Sequence, residues 1–530
     1  AGDTLSRNTA VGNAALMKIG CSGAAYCNTA IGANAGKCIT TGCENFFGGY
    51  RAGGLGFITG SGNISIGNHS SEDLTSGSRN TVMGGCAGAN LTTGGCNTFI
   101  GTCAGKTITT GSNGIAIGFN AAGSAVHAFQ NIYIGECAGY NVYDSGGQVI
   151  IGHKAAYSQC DWGAGFVVIG RCASYCHNSG QFNTTIGNDA NKKGTGGSYN
   201  VFFGHAAGCC MTGASNTVLG TCAGGASGGG SSNVFVGKYS GNTNTGGNNT
   251  YLGAGAGSNG TSGDSNIAIG MQALYTTPAV RQYCVGIGHQ ALYSWNGDMN
   301  TAIGYVAAQY CHGAYNTAVG GLALQGNSSA QGPDYSVAVG YLAGRYQGES
   351  DYNIWIGAES GPQTISTIGS QTGDNNIAIG QLALSKITSG RNNVCIGYKS
   401  GEDLTTGQYN TCVGTDSGMN ITSAESNTTI GAYCAPNITT GNYNTIMGVN
   451  AGYNVTTATN SVFIGMEAGF SLTTSSNSIM IGKNAGFSCT QGNCTFIGYH
   501  AGYSVSQSSN IAIGFYALRD NGANNNNIAI

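Results

Sequence analysis

Apolar and variable positions alternate in a short segment that recurs along the whole chain. In all copies but the third, a Thr, Val or Ile stands three residues before a glycine and an apolar residue directly before it, as in residues 98–101 (TFIG). The position between these two varies from Ala116 to Trp355. Period-2 alternation with β-branched residues predicts a three-residue β-strand with one buried face. We expect the two outer residues to face the core and the variable middle residue to face outward.

The glycine that follows each strand defines the repeat. Thirty such anchor glycines occur, and 17 of the 29 intervals between them are 17 residues long, as in the copy at residues 97–113. Glycine at this position fits a turn that needs positive φ or a close approach of two backbones. Representative anchors are Gly32, Gly84, Gly101, Gly397 and Gly448.

Two further turn features recur in each copy. The third residue after the anchor is always small, with 24 Ala, 5 Ser and 1 Cys, and Ala451 is typical. This restriction predicts a narrow inward corner. A second turn is expected at Thr-Thr-Gly sequences such as residues 92–94 and 405–407.

Asparagine recurs four residues before the anchor in 22 of 30 copies, including Asn28, Asn80 and Asn97. Stacked Asn side chains can hydrogen-bond in a ladder along a solenoid. The alternative is an Asx-turn before each strand. The pattern fits both, and we favour the turn. Neither makes these residues a ligand site.

A repeat of this length cannot bury its own apolar face, but stacked repeats can. The sequence therefore predicts an all-β fold, a parallel β-solenoid (β-roll) of about 30 coils with a 17-residue repeat. We expect residues 1–530 to form a single continuous repeat domain with no inserted globular domain. The longest intervals, Gly12–Gly32, Gly320–Gly340 and Gly357–Gly380, should bulge as surface loops. A thin core leaves a flank free for another chain, so we expect a homotrimeric fibre.

The composition excludes several classes of protein. Only 7% of residues are charged and the net charge is −3, so the basic footprint of a nucleic-acid binder is missing. With 95 glycines but 4 prolines, the chain is not collagen. No apolar run approaches the ~20 residues that span a bilayer, so we expect no membrane insertion.

Apparent catalytic motifs follow the repeat. Residues 414–418 (GTDSG) resemble the serine segment of chymotrypsin-like proteases, but Ser417 occupies the small-residue corner. His153, His205 and His289 lie in copies that are not adjacent, too far apart to share a metal. We therefore expect no catalytic residue, no metal site, no cofactor and no enzymatic activity.

Some of the 21 cysteines repeat in register. Cys86 and Cys103 lie two residues after successive anchors, and Cys395 and Cys412 lie two residues before successive anchors. Stacking brings each pair within disulfide range, so both are candidate staples. The alternative is a free cysteine that packs as a small hydrophobe. Cys395 and Cys412 are the weaker pair, because outward side chains in mid-strand run parallel.

The repeat resembles two known groups of fibrous proteins. NIAIGMQAL (266–274) and NTAIGYVAA (300–308) are similar to the β-roll head repeats of trimeric autotransporter adhesins. Longer copies of the form NTAIGxxAGxxxTTG resemble repeats in tail-fibre proteins of phages and other viruses. The period here is longer than in adhesin heads. The resemblance implies an extracellular location, on a cell-surface appendage or a virion, and self-association.

The expected function is that of a structural shaft of an extracellular fibre or virion tail fibre that presents an attachment tip. A host receptor or surface glycan is then a possible partner. One alternative is a cell-surface filament subunit that polymerises end to end. Another is an adhesin or an ice-binding solenoid, with Thr pairs such as 92–93 and 405–406 on the binding face. The chain opens and closes within a coil, so we expect a longer rod or a neighbour that completes the coil.

Overall fold

The computed structural model describes residues 7–19, 25–126, 129–142, 146–158, 165–176, 180–260, 262–275, 281–294, 297–326, 332–363, 373–520 and 525–530. Over these residues the chain is an all-β parallel β-solenoid with a repeat of about 17 residues and without a helix, which confirms the predicted fold class. The chain divides into two compact units, Ala1–Ser265 and Asn266–Ile530. A single continuous domain and a trimeric fibre stay predictions.

The strands of the first unit all have three residues, and each pairs in parallel with its sequence neighbours within the unit. They are β1 (Thr9–Val11), β2 (Thr29–Ile31), β3 (Phe46–Gly48), β4 (Ile64–Ile66), β5 (Thr81–Met83), β6 (Thr98–Ile100), β7 (Ile115–Ile117), β8 (Ile132–Ile134), β9 (Val149–Ile151), β10 (Val167–Ile169), β11 (Thr184–Ile186), β12 (Val201–Phe203), β13 (Thr217–Leu219), β14 (Val234–Val236) and β15 (Thr250–Leu252). In β5 and β6, Val82 lies opposite Phe99, so residues at equal repeat positions stack in columns.

The second unit repeats this arrangement, again with in-register parallel pairing between sequence neighbours. Its strands are β16 (Ile267–Ile269), β17 (Val285–Ile287), β18 (Thr301–Ile303), β19 (Thr317–Val319), β20 (Val337–Val339), β21 (Ile354–Ile356), β22 (Ile377–Ile379), β23 (Val394–Ile396), β24 (Thr411–Val413), β25 (Thr428–Ile430), β26 (Thr445–Met447), β27 (Val462–Ile464), β28 (Ile479–Ile481), β29 (Thr495–Ile497), β30 (Ile511–Ile513) and β31 (Ile528–Ala529).

The turns between strands are also hydrogen-bonded from coil to coil. The backbone N–H of Cys86 donates to the carbonyl of Asn68 at 2.8 Å, and that of Gly88 donates to the carbonyl of Ala104 at 2.9 Å. One turn thus bonds to the coil before it and to the coil after it. Backbone polar groups away from the strands are satisfied in the same way as those of the sheet.

The anchor glycines meet both conditions that the sequence suggested. Gly84 has φ of +139°, in the region that disfavours L side chains, and a Cβ built on it would lie 2.5 Å from the carbonyl oxygen of Gly101. Gly32, Gly397 and Gly448 have φ of +135°, +137° and +137°. Successive coils therefore approach too closely at this column for any side chain.

The faces of the strands are the reverse of the sequence prediction. The middle residues Val82 and Phe99 are fully buried, whereas the outer residues Met83 and Ile100 are 40% and 36% exposed. The prediction was wrong because β-branched and apolar residues favour an extended strand whether or not they face a core. The side chain of the middle residue varies in size because a side chain at another position of the repeat shares the same volume.

That compensating position is the fourth residue after the anchor. Where the middle residue is Phe99, the compensating residue is Gly105, and a Cβ there would lie 3.1 Å from the phenyl ring. Where the middle residue is Ala378, the compensating residue is Leu384, and both are fully buried. In these coils a large residue at one position is balanced by a small one at the other, as close packing of an interior requires.

The small-residue column is inward and buried, as predicted. Ala451, Ser417 and Cys434 each have no exposed surface. The residues at the centre of the three long intervals lie outside the described residues, so their expected bulges are untested: 20–24, 327–331 and 364–372.

Replacing one anchor glycine should destabilise the solenoid strongly. In Gly84→Ala the new methyl group meets the Gly101 carbonyl and the backbone stays at positive φ, so we expect a loss of about 2 kcal/mol or more in unfolding free energy. The control is Gly85→Ala, because the nearest atom to a Cβ at Gly85 is 4.0 Å away. Chemical denaturation measures both, and equal stability of the two variants would contradict the role of the anchor.

Enlarging the corner should overpack the core. We expect Ala451→Leu to lower the unfolding free energy by about 1–3 kcal/mol, because Ala451 is fully buried. In the same coil, Val449→Leu adds a methylene at a residue that is 47% exposed and serves as the control. If Ala451→Leu unfolds at the same temperature as the wild type, the corner has spare volume and the prediction is wrong.

Candidate functional site

The asparagine column forms a ladder inside the solenoid. The backbone N–H and the side-chain amide of Asn427 both donate to Oδ1 of Asn410, each at 3.1 Å. Nδ2 of Asn427 also donates to the carbonyl of Gly441 in the next coil at 2.8 Å. Each asparagine therefore ties its own strand to the coils on both sides.

The asparagines that the sequence singled out belong to this ladder. Asn28 Nδ2 donates to the carbonyl of Gly42 at 2.9 Å, and Asn80 Nδ2 donates to that of Gly94 at 2.9 Å. Asn97 donates its backbone N–H to Asn80 Oδ1 at 2.9 Å. These bonds join different coils, so the ladder is correct and the Asx-turn that we favoured is wrong for them. The role of the column is structural, because its polar atoms are buried and engaged.

The outer face of the sheet is the main exposed feature of both units. We define it as the first and third residues of the strands β1–β30. These residues are Thr, Val, Ile, Leu, Met or Phe, with one Gly, and none carries a charge. Many are more than a third exposed, for example Ile64, Val201 and Phe203. A regular, uncharged and largely apolar surface of this kind is typical of an interaction surface.

Residues directly after the anchor extend this apolar surface in several coils. Phe119, Met271, Tyr305, Tyr341 and Phe515 are each at least half exposed. Charged residues also occur at this position, for example Lys238, whose Nζ lies 5.2 Å from the ring centroid of Tyr239. The uncharged surface is therefore centred on the strands, and charged and apolar residues occur together at its border.

Aromatic rings stack in columns at the turns. Tyr453, Phe470, Phe487 and Tyr503 form a continuous stack with centroid distances of 5.2, 5.0 and 5.0 Å. Their ring faces stack on one another, and all four residues are partly exposed. Such stacks stabilise neighbouring coils. The sequence analysis missed these columns, although their fixed offset of five residues from the anchor can be read from the sequence.

The candidate catalytic serine is part of the core. Ser417 is fully buried, and its hydroxyl donates to the carbonyl of Thr429 at 2.8 Å. Among the described residues, no group of three His, Cys, Asp or Glu is placed to hold a metal ion. His153 lies 3.9 Å from Glu136, and both side chains are substantially exposed.

The two candidate disulfide pairs differ in their surroundings. Cys395 and Cys412 lie opposite each other in β23 and β24 and are fully buried. They point inward, so the expectation of outward side chains was wrong for the same reason as for the strand faces. Cys86 and Cys103 are partly exposed, at φ of +53° and +58°. All four are free thiols in the structure, and both staples stay predictions.

Comparisons with known proteins leave the family open. No protein-family model matches the chain, and no curated protein matches it. Within the described part of the chain, no helical segment has the length and hydropathy needed to cross a bilayer.

Breaking the asparagine ladder should destabilise the fold. In Asn410→Ala, the backbone N–H of Asn427 and the carbonyl of Ala424 lose buried partners, so we expect a loss of about 1–3 kcal/mol in unfolding free energy. Thr406→Ala, at an exposed position of the preceding turn, is the control and should change stability by no more than about 0.5 kcal/mol. Urea denaturation compares them, and a neutral Asn410→Ala would mean that the ladder adds nothing net.

Proposed function

We propose that the chain is a non-enzymatic structural shaft of an extracellular fibre or virion tail fibre that presents an attachment tip. The observation that carries this proposal is the uncharged outer face of the sheet, repeated in every strand from β1 to β30. A surface of this kind is costly to leave in water and is useful when another chain covers it. Its regular repetition suits an elongated assembly better than a compact binding pocket.

The partner at this face is a second and third copy of the same chain. Three copies related by a threefold axis can each turn this uncharged face toward the axis, so that every copy packs against the other two. A homotrimer closes this packing around one axis. Trimeric assembly also agrees with the resemblance to autotransporter heads and tail-fibre repeats. The same resemblance supports an extracellular location and a receptor or surface glycan as the partner of the tip. Nucleic acid and membrane insertion have no part in it.

Two alternatives rest on other features. The first is a cell-surface filament subunit that polymerises end to end, because in-register coils could continue from one chain to the next. The second is an adhesin or ice-binding solenoid. For the latter, Thr406, Thr440 and Thr457 are exposed in one column. The adjacent threonines are engaged, since Thr405 Oγ1 donates to the carbonyl of Thr422 at 3.0 Å. An ice-recrystallisation assay separates this alternative from the shaft.

Charges placed on the outer face should dissociate the assembly. We expect wild-type chains of 53.2 kDa to sediment as a trimer and the double variant Met83→Lys/Ile100→Lys to sediment as a smaller species. The reason is that association would bury unpaired ammonium groups. The double variant Ser76→Lys/Thr93→Lys adds the same charge at exposed turn positions and is the control.

Circular dichroism should show the same β content in all three proteins, because the substituted residues are exposed. A monomeric wild type, or equal sedimentation of all three, contradicts the proposed role of the outer face. Electron microscopy of the native particle then shows whether the fibre belongs to a virion or a cell.

A further inference from the structure

Two cysteines outside the predicted staples lie in the same coil of the second unit. Cys489 is the seventh residue after the anchor Gly482, and Cys494 is the fourth residue before the anchor Gly498. The residues at the corresponding positions of another coil face each other across the start of the turn. In a coil of equal length, Asn249 Nδ2 lies 3.4 Å from Asn244 Oδ1, and these two residues hold the equivalent positions.

The two thiols are enclosed in the core at the same turn. Both residues have no exposed surface, and both sulfur atoms face carbonyls of this turn, since Cys494 Sγ lies 3.5 Å from the carbonyl oxygen of Gly492. The hydrogen bond to Cys489 lowers the pKa of the Cys494 thiol to about 7, while the same contact and burial raise the pKa of Cys489. Cys489 Sγ also lies 3.1 Å from the carbonyl of Gln491.

The asparagine ladder is interrupted at this place. Ser478 occupies the ladder position of the preceding coil, and it has no amide with which to reach the carbonyl of Gly492. The equivalent carbonyl, Gly441, receives such a bond from Asn427. Cys494 N–H lies 3.4 Å from Ser478 Oγ, a longer contact than the ladder bonds elsewhere. The turn at 490–493 therefore lacks the asparagine amide that holds other turns, and the two thiols contact its carbonyls instead.

We propose that Cys489 and Cys494 form a disulfide within one coil, which fastens the turn at 490–493 in place of the missing asparagine amide. The oxidant is a low-molecular-weight disulfide such as oxidised glutathione. One cysteine thiolate attacks it and releases one small thiolate. The second cysteine thiolate then attacks the mixed disulfide and releases the other. The two cysteine protons pass to the two released thiolates, so two cysteines are oxidised and one small disulfide is reduced.

Burial decides when this bond forms and when it breaks. Because both sulfur atoms are enclosed in the folded coil, exchange with the oxidant takes place before the coil closes or when it opens. Once formed, the bond is shielded from external thiols. This inference does not rest on the proposed shaft function, but a protected bond is suited to an oxidising, extracellular setting.

Peptide mapping tests the pairing directly. Trypsin cleavage after Lys483 and Arg519 releases residues 484–519, which contain these two cysteines and no other. The full chain is refolded with reduced and oxidised glutathione, quenched in acid, unfolded, alkylated with iodoacetamide and digested without reduction. We expect this peptide to be unalkylated and lighter by two hydrogen atoms than its reduced form. A peptide that carries two alkyl groups, or one bonded to a different peptide, overturns the proposal.

Stability measurements test the role of the bond. Cys489→Val and Cys494→Asn install residues that other coils use at these positions, as in Val455 and Asn427, so both variants should fold. We expect the oxidised wild type to melt at a higher temperature than the reduced wild type, and this difference to shrink in either variant. Cys434→Ala, a buried cysteine in the corner column, is the control and should keep the full difference.

An equal redox-dependent shift in all four proteins would assign the effect to other cysteines and overturn the proposal. Sedimentation of the same samples reports the oligomeric state independently. A failure of the disulfide is thus distinguishable from a failure of the proposed shaft.

Discussion

Successive coils approach within contact distance at the anchor glycines, and the rest of the structure depends on this approach. At Gly84 a single added carbon would lie 2.5 Å from the next coil's backbone. This spacing brings the strands into parallel register and places residues of equal repeat position above one another. Columns of hydrogen bonds, stacked rings and small side chains all follow from that register. A change at one column therefore acts on neighbouring coils first, as expected for a repeat protein.

The interior combines a polar ladder with a balanced apolar core. Asparagine side chains satisfy buried backbone groups of the adjacent turn, which lets the chain reverse direction without exposing those groups to the core. The middle residue of the strand and the fourth residue after the anchor share the remaining volume, as Phe99 with Gly105 and Ala378 with Leu384 illustrate. This exchange explains how a narrow solenoid tolerates tryptophan in one coil and alanine in the next.

The surface is divided between a face without charge and turns that carry the few charged residues. The low content of charge is thus concentrated away from the strands, rather than spread evenly. This division is the basis of the proposal that other copies of the chain cover the outer face. The proposed disulfide between Cys489 and Cys494 would also stabilise the chain from within, because it lies where the asparagine ladder is interrupted.

Periodicity, strand type and the need for glycine were determined by the sequence alone, because each coil repeats the same local requirement. The restriction to glycine at Gly84 and to a small residue at Ala451 is visible only when the thirty copies are compared. The direction of the strand faces was decided only by the tertiary structure. In a three-residue strand that is apolar on both sides, the local pattern does not distinguish the buried face from the exposed face. The asparagine ladder needed the structure for a related reason: a hydrogen bond between residues 17 positions apart, such as Asn410 and Asn427, exists only when the coils are stacked.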